Sequence, residues 1–149
     1  MPKLALQEAA FGFTDVYKLT AAEITSLGTG AQKVIAKVPA GGIVTDAAVF
    51  EVTNFAGTST DLTLDVGIDS ADPDDYINAA DLDGLTKVVF STGDGFTVGG
   101  DVGTGNGVAN NTADVKDVLI EPNFTGTVTG GEWLVCLTIL DPGRLANPL

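Results

Sequence analysis

The sequence predicts an all-β fold: a single-domain antiparallel β-sandwich, jelly-roll-like, with extended terminal arms. Three observations predict it. Apolar and polar residues alternate with a period of two over several short runs, the mark of strands with one face in a core and one in water. Turns rich in Gly, Asn, Asp and Thr separate those runs at short intervals. Helix signals are confined to two brief stretches. A chain of 149 residues, 44% hydrophobic and 18% charged, has the balance of one packed domain, large enough to remove about 70% of its unfolded surface from water.

Residues 1–18 mix Leu4, Leu6, Phe11, Phe13 and Tyr17 with small residues, which suits an arm reaching a neighbour or a first core strand equally. Thr20-Ala21-Ala22-Glu23 matches a capping box and Gly28 supplies a stop, so one or two helical turns are expected there. In residues 32–38, Val34, Ala36 and Val38 fall on one side and Lys33 and Lys37 on the other, with Ile35 breaking the polar face. Ala48, Phe50 and Val52 then alternate against Glu51 and Thr53. Pro39-Ala40-Gly41-Gly42 between the two runs has the residues of a tight reversal, so 32–54 reads as a hairpin.

The cleanest alternation runs from Asp61, with Leu62, Leu64, Val66 and Ile68 on one face. A second helical turn is expected to start at Asn78 in Asn78-Ala79-Ala80-Asp81-Leu82. Residues 86–91 and 115–120 are short β-prone runs. Residues 93–111 carry seven glycines, too costly in chain entropy to order alone, and read as a long loop. Residues 133–140 are nearly all apolar, as in a central strand covered on both faces or one with a face on a neighbouring subunit. The expected division is therefore an arm or first strand at 1–18, a sandwich at 19–140 and a proline-bounded tail at 141–149. Strand order stays open.

Composition excludes several kinds of chemistry. Histidine is absent, which removes Ser-His-Asp and Cys-His nucleophile pairs, histidine metal ligands and a histidine pH switch. Cys136 is the one cysteine; it can form no intrachain disulfide and reads as a small buried hydrophobe. Twenty acids against seven bases give a formal charge of -13, which repels phosphates, so no direct grip on nucleic acid is expected. No run approaches the ~20 apolar residues of a membrane span, and the first residues lack the apolar core of a signal peptide, so a soluble chain without a membrane partner is expected.

Candidate sites are few. Asp69-Ser70-Ala71-Asp72-Pro73-Asp74-Asp75 is a calcium candidate because a hard cation wants converging carboxylate and carbonyl oxygens. The spacing fails the EF-hand pattern, however, and turn aspartates commonly bond nearby backbone amides. Solvated loop acids are the preferred reading, with no metal and no cofactor. Paired carboxylates could serve glycoside hydrolysis, but Glu8, Glu23, Glu51, Glu121 and Glu132 are not grouped with stacking aromatics, and no enzyme is expected. The glycine-rich stretch lacks the Gly-Lys-Ser or Gly-Lys-Thr of a phosphate cradle. For sugar binding, Trp133 lies in the most apolar run, leaving Tyr17 and Tyr76 as a thin stacking platform.

The run Val38-Pro39-Ala40-Gly41-Gly42-Ile43-Val44-Thr45-Asp46, then Leu64-Asp65-Val66-Gly67-Ile68-Asp69 and Asp72-Pro73-Asp74-Asp75-Tyr76-Ile77, then Gly130-Gly131-Glu132-Trp133-Leu134-Val135, resembles small virion proteins of tailed bacteriophages, in particular head decoration (capsid cement) proteins. The resemblance spans about residues 30–140 and rests on turn and strand features. It implies a β-sandwich subunit, commonly a homotrimer, on the outer surface of the capsid, bridging neighbouring major capsid proteins after synthesis in the host cytoplasm. It carries no catalytic or ligand residues. The terminal arms are the parts expected to touch the shell or other subunits, through Leu4, Leu6, Phe11 and Phe13 at one end and Arg144 and Leu145 at the other. The alternative is a carbohydrate- or receptor-binding module of a tail or baseplate.

Overall fold

A computed structural model describes residues 13–84, 88–90, 110, 112–141 and 143. Among these, eight strands and one helix follow in order: β1 (Asp15–Thr20), α1 (Ala21–Leu27), β2 (Lys33–Val38), β3 (Ile43–Gly57), β4 (Thr63–Gly67), β5 (Ile77–Asp81), β6 (Val88–Phe90), β7 (Lys116–Asn123) and β8 (Val128–Leu140). Every ladder among them is antiparallel. The first strand pairs with the last, the second with the seventh, the third with the sixth, and the fourth with the fifth. Two more ladders, β3 to β8 and β4 to β7, roll that long hairpin up into two four-stranded sheets, β1-β8-β3-β6 and β2-β7-β4-β5. This is the wrapping of an eight-stranded jelly roll.

Alternation along the strands builds the core between the sheets. Leu19, Val44, Val49, Trp133, Val135 and Leu137 from the first sheet meet Val38, Leu64, Val66, Ile77, Val118 and Ile120 from the second. Trp133 is fully buried at the centre. Its ring lies over Gly131, whose φ of 134° suits glycine and where a Cβ would fall 2.4 Å from the ring. The helix α1 packs Ile24 into the same core. Thr20 caps it by accepting the Glu23 N–H at 3.2 Å, and Gly28, at φ 85°, ends it with its N–H on the Ile24 carbonyl.

Three expectations change. Residues 32–54 are not a hairpin, because β2 pairs with β7 and β3 with β8, in opposite sheets. The turn itself forms, with the Gly42 N–H on the Pro39 carbonyl and Gly41 at φ 70°, but Asn110 enters the corner and takes the groups a hairpin would pair. Its N–H donates to the Gly42 carbonyl and its carbonyl accepts the Gly41 N–H, both at 2.8 Å. Secondly, the β2 register shifts between Val34 and Ala36, and this bulge turns Ile35 onto the core while Val34 stands 44% exposed. An extra residue in one strand reverses which side chains face inward. Thirdly, Asn78-Ala79-Ala80 belongs to β5 rather than to a helical turn. A bulge opposite β4 puts Ala79 at φ 49°, one left-handed residue that mimics a turn signal.

Candidate interaction surface

Strand β8 is apolar on both sides because both of its faces are covered. Leu134 and Cys136 point away from the main core and form a second cluster with Ala48 of β3 and with Phe13, flanked by Val16 and Phe50. Phe13 reaches this outer face because the chain bends at Thr14, whose hydroxyl accepts the Ile139 N–H at 2.8 Å. The Phe13 ring then stands edge-on to Phe50, with centroids 6.2 Å apart and planes at 75°. Burial pushes the Cys136 thiol up to about 12, which makes it inert while covered.

Of the residues singled out as contacts, Phe13 is therefore packed on its own sheet. Leu4, Leu6, Phe11, Arg144 and Leu145 lie outside the described residues. The bond between Thr14 and Ile139 holds the start of β1 and the end of β8 together at one end of the sandwich. There Thr14, Asp15, Ile139 and Asp141 of one sheet face Lys37, Pro39 and Val115 across a cleft of about 400 Å³. Val115 and Leu140, 56% and 39% exposed, stand at this end.

The turn aspartates are occupied with backbone amides. The Asp75 carboxylate accepts from the Ile68 and Asp69 N–H groups at 2.6 and 3.0 Å, and Asp69 accepts from Ala71 at 2.8 Å. Asp61 receives the Thr125 N–H and hydroxyl, each at 2.8 Å, and Asp83 the Leu62 N–H. Among the described residues no group of three or more acids is arranged to hold a metal ion. Burial, reinforced by neighbouring carboxylates, raises the Asp65, Asp74, Asp75 and Asp83 carboxyls above the ordinary aspartate value.

Tyr76 is fully buried, as is Trp133, and Tyr17 donates its hydroxyl to Glu23. The stacking platform expected of the two tyrosines does not form, since one ring is core and the other is a tie. That tie has a third member: Lys33 on β2 meets Glu23 at 2.5 Å and lies 5.4 Å from the Tyr17 ring. It joins β1, α1 and β2 across the side of the sandwich. Burial alone would raise the Glu23 carboxyl, but hydrogen bonds from Lys33 and Tyr17 and the lysine charge hold it below the usual range.

One structural residue was not visible in the sequence. Asn110, 1% exposed, donates from Nδ2 to the Val38, Pro39 and Asp114 carbonyls and accepts from Thr112. It closes the glycine-rich stretch, where an asparagine looks like one more loop residue. The reversal at Pro39 was the only pointer to a corner that needed filling.

Among the described residues no helix is long and apolar enough to cross a membrane. No protein-family model and no curated protein matches the chain. Its fold is similar to that of a chain in the capsid asymmetric unit of cyanophage Pam1, with a TM-score of 0.57 at 20% sequence identity, over 84% of this chain and 81% of that one.

Proposed function

We propose that this chain is a virion structural protein of a tailed phage, a decoration or cement subunit that binds the outer surface of the head and stabilises the expanded shell. The observation that carries the reading is the similarity of fold to a chain of the cyanophage Pam1 capsid asymmetric unit, matched over most of both chains. A formal charge of -13 supports an external position, since packed DNA inside a head repels such a surface. The mechanism is mass action: a subunit that buries surface only on the expanded shell stabilises that state by its binding free energy, multiplied over many equivalent sites. No bond is made or broken, and no cofactor takes part. The partner is the major capsid protein, and the subunit acts as a homotrimer with its terminal segments as contacts: Leu4, Leu6 and Phe11 upstream of Phe13, and Arg144 and Leu145 downstream of Asp141.

Co-sedimentation tests this directly. Purified chain is mixed with expanded, DNA-free shells of the phage that encodes it, alongside unexpanded shells. Saturable binding to expanded shells, with a rise in their disruption temperature, is expected. Binding to neither form refutes the cement reading, and binding to isolated tails instead would favour the tail or baseplate alternative. Light scattering coupled to gel filtration gives the free subunit's mass, expected near three chains.

A further inference from the structure

Strands β1 and β2 are edges of their sheets and meet along one side of the sandwich. At the helix end this seam is closed, because Tyr17, Glu23 and Lys33 tie β1, α1 and β2 together. At the other end lies the cleft of about 400 Å³, with Thr14, Asp15, Ile139 and Asp141 facing Lys37, Pro39 and Val115. The polar groups that line it bond within their own wall: Thr14 donates to Asp15 and accepts from Ile139, Asp141 accepts from Gly143, and Lys37 meets Asp117. Among the described residues no lysine or arginine pairs with Asp15 or Asp141. Between those two acids and the far wall the lining is aliphatic, with Val115 56% exposed and Pro39 and Ile139 partly buried.

We propose that this cleft receives a protein segment carrying one lysine or arginine flanked by aliphatic residues, supplied by the shell protein that the subunit binds. The source of the segment rests on the cement reading; the chemistry of the cleft does not. A long basic side chain lays its stem on Val115, Pro39 and Ile139 and brings its charge to the Asp15 and Asp141 carboxylates, the division such side chains favour. The volume is at the lower end of the ~300–1,000 Å³ of ligand clefts, which suits a few side chains rather than a globular surface. Charge selects the occupant. A second copy of this chain brings a formal charge of -13 of its own, and in every copy Lys18, Lys33 and Lys37 are already engaged with Glu132, Glu23 and Asp117. An acidic segment is repelled by both carboxylates.

Two measurements test this. The first needs no shell: backbone amide shifts of the full chain are followed by NMR while the blocked tripeptide acetyl-Leu-Arg-Val-amide, or its glutamate counterpart, is added to about 10 mM, enough to detect millimolar affinity. Saturating shifts centred on Thr14, Asp15, Val115, Ile139 and Asp141 are expected with the arginine peptide alone, and are expected to vanish in Asp15→Asn/Asp141→Asn. An asparagine oxygen still accepts from Thr14 and Gly143, so that chain keeps its local bonds. No shifts at the cleft, or equal shifts with both peptides, overturn the proposal. The second measurement is co-sedimentation with expanded shells over a salt series. Asp15→Asn/Asp141→Asn is expected to bind about tenfold more weakly at low salt, with a flatter salt dependence. Val115→Ser is expected to weaken binding without changing the salt dependence. Asp69→Asn/Asp72→Asn, which removes the same charge outside the cleft, is expected to bind like the unaltered chain. Full affinity in Asp15→Asn/Asp141→Asn, or an equal loss in Asp69→Asn/Asp72→Asn, overturns the proposal and leaves the cement reading standing. A lower solution mass for Asp15→Asn/Asp141→Asn would assign the cleft to a second copy and overturn it as well. Failure of the unaltered chain to bind shells refutes the cement reading and with it the source, while the peptide result alone decides what the cleft takes.

Discussion

Replacing Asn110 by alanine removes a side chain that ties β2, the Pro39 turn and the entry to β7 together. Its amide donates to three carbonyls at 3.1, 3.1 and 2.7 Å and accepts from the Thr112 N–H and hydroxyl at 3.2 and 2.6 Å. Thr112 and Asp114 are exposed, so water can replace the bonds on their side at about 0.5 kcal/mol each. The bond to the Val38 carbonyl is buried, and losing it costs about 1–2 kcal/mol. Asn110→Ala should therefore destabilise the fold by about 2–3 kcal/mol, lowering the melting temperature by roughly 5–10 °C for a domain of this size. Urea unfolding followed by Trp133 emission and by circular dichroism measures it, with the midpoint falling and the slope unchanged. Asn110→Asp sharpens the test: a carboxylate aimed at three carbonyl oxygens costs more than alanine at pH 7, and protonation relieves part of that cost at pH 4–5. A change below about 0.5 kcal/mol for Asn110→Ala would refute the clamp.

Three further outcomes follow from single observations. Ala79→Gly should stabilise by about 0.5–1 kcal/mol, because φ 49° strains an L side chain more than a glycine there adds to unfolded-chain entropy; a lower urea midpoint would contradict that strain. Gly131→Ala should cost about 2–4 kcal/mol, since its Cβ would meet the Trp133 ring at 2.4 Å, and the change should be visible as a shifted Trp133 emission as well as a lower midpoint. The carboxyls of Asp65, Asp74, Asp75 and Asp83 are raised by burial and by neighbouring carboxylates, so they favour folding most below the unfolded aspartate value and lose that advantage as pH rises through the folded value. Melting temperature should accordingly climb as pH falls toward the unfolded aspartate value of about 3.9, then fall at lower pH as Glu23 and Asp61, both held low, take up protons. A melting temperature that does not rise on approach to that value from neutral pH would count against the raised carboxyls.

The elements that could be read from the sequence are those whose evidence is local. The alternation around Leu62, Leu64 and Val66 is a property of one strand, as is the Thr20 cap of its own helix. The apolar run 133–140 reads as a strand covered on both faces or one with a face on a neighbouring subunit, and within this chain Trp133, Val135 and Leu137 pack on one side and Leu134 and Cys136 on the other. Partner choice is not local. In a jelly roll every connection among the described strands except β4 to β5 crosses between sheets, so a reversal as plain as Pro39-Ala40-Gly41-Gly42 joins strands that never pair. Bulges at Ile35 and Ala79 hide similarly, since each changes the period by one residue and reads as noise in an alternation count. Phe13 was visible as an apolar residue near the start, yet the bend at Thr14 that sends it to the outer face depends on β8, more than a hundred residues away.

The sheet edges narrow where assembly contacts can form. Among the described residues β1 pairs only with β8, β6 only with β3, β2 only with β7 and β5 only with β4, so these four strands are the sheet edges that another chain could extend. The two edges of the β2-β7-β4-β5 sheet carry features that discourage it: β2 has Lys33, Lys37 and a bulge, and β5 has the left-handed Ala79 with Asp65 occupying its N–H at 2.6 Å. Association by strand addition is thereby disfavoured at that sheet. Lys37→Val tests the point, because Lys37 is 66% exposed and its pairing with Asp117 at a solvent-facing site contributes at most about 1 kcal/mol to the fold. Removing that charge should leave the melting temperature within about 2–4 °C while adding concentration-dependent species above the mass of the unaltered chain in light scattering. An unchanged mass distribution at high concentration would mean that the bulge alone protects β2, and a Lys37→Val chain with a less soluble but folded state would locate the protection in the lysine.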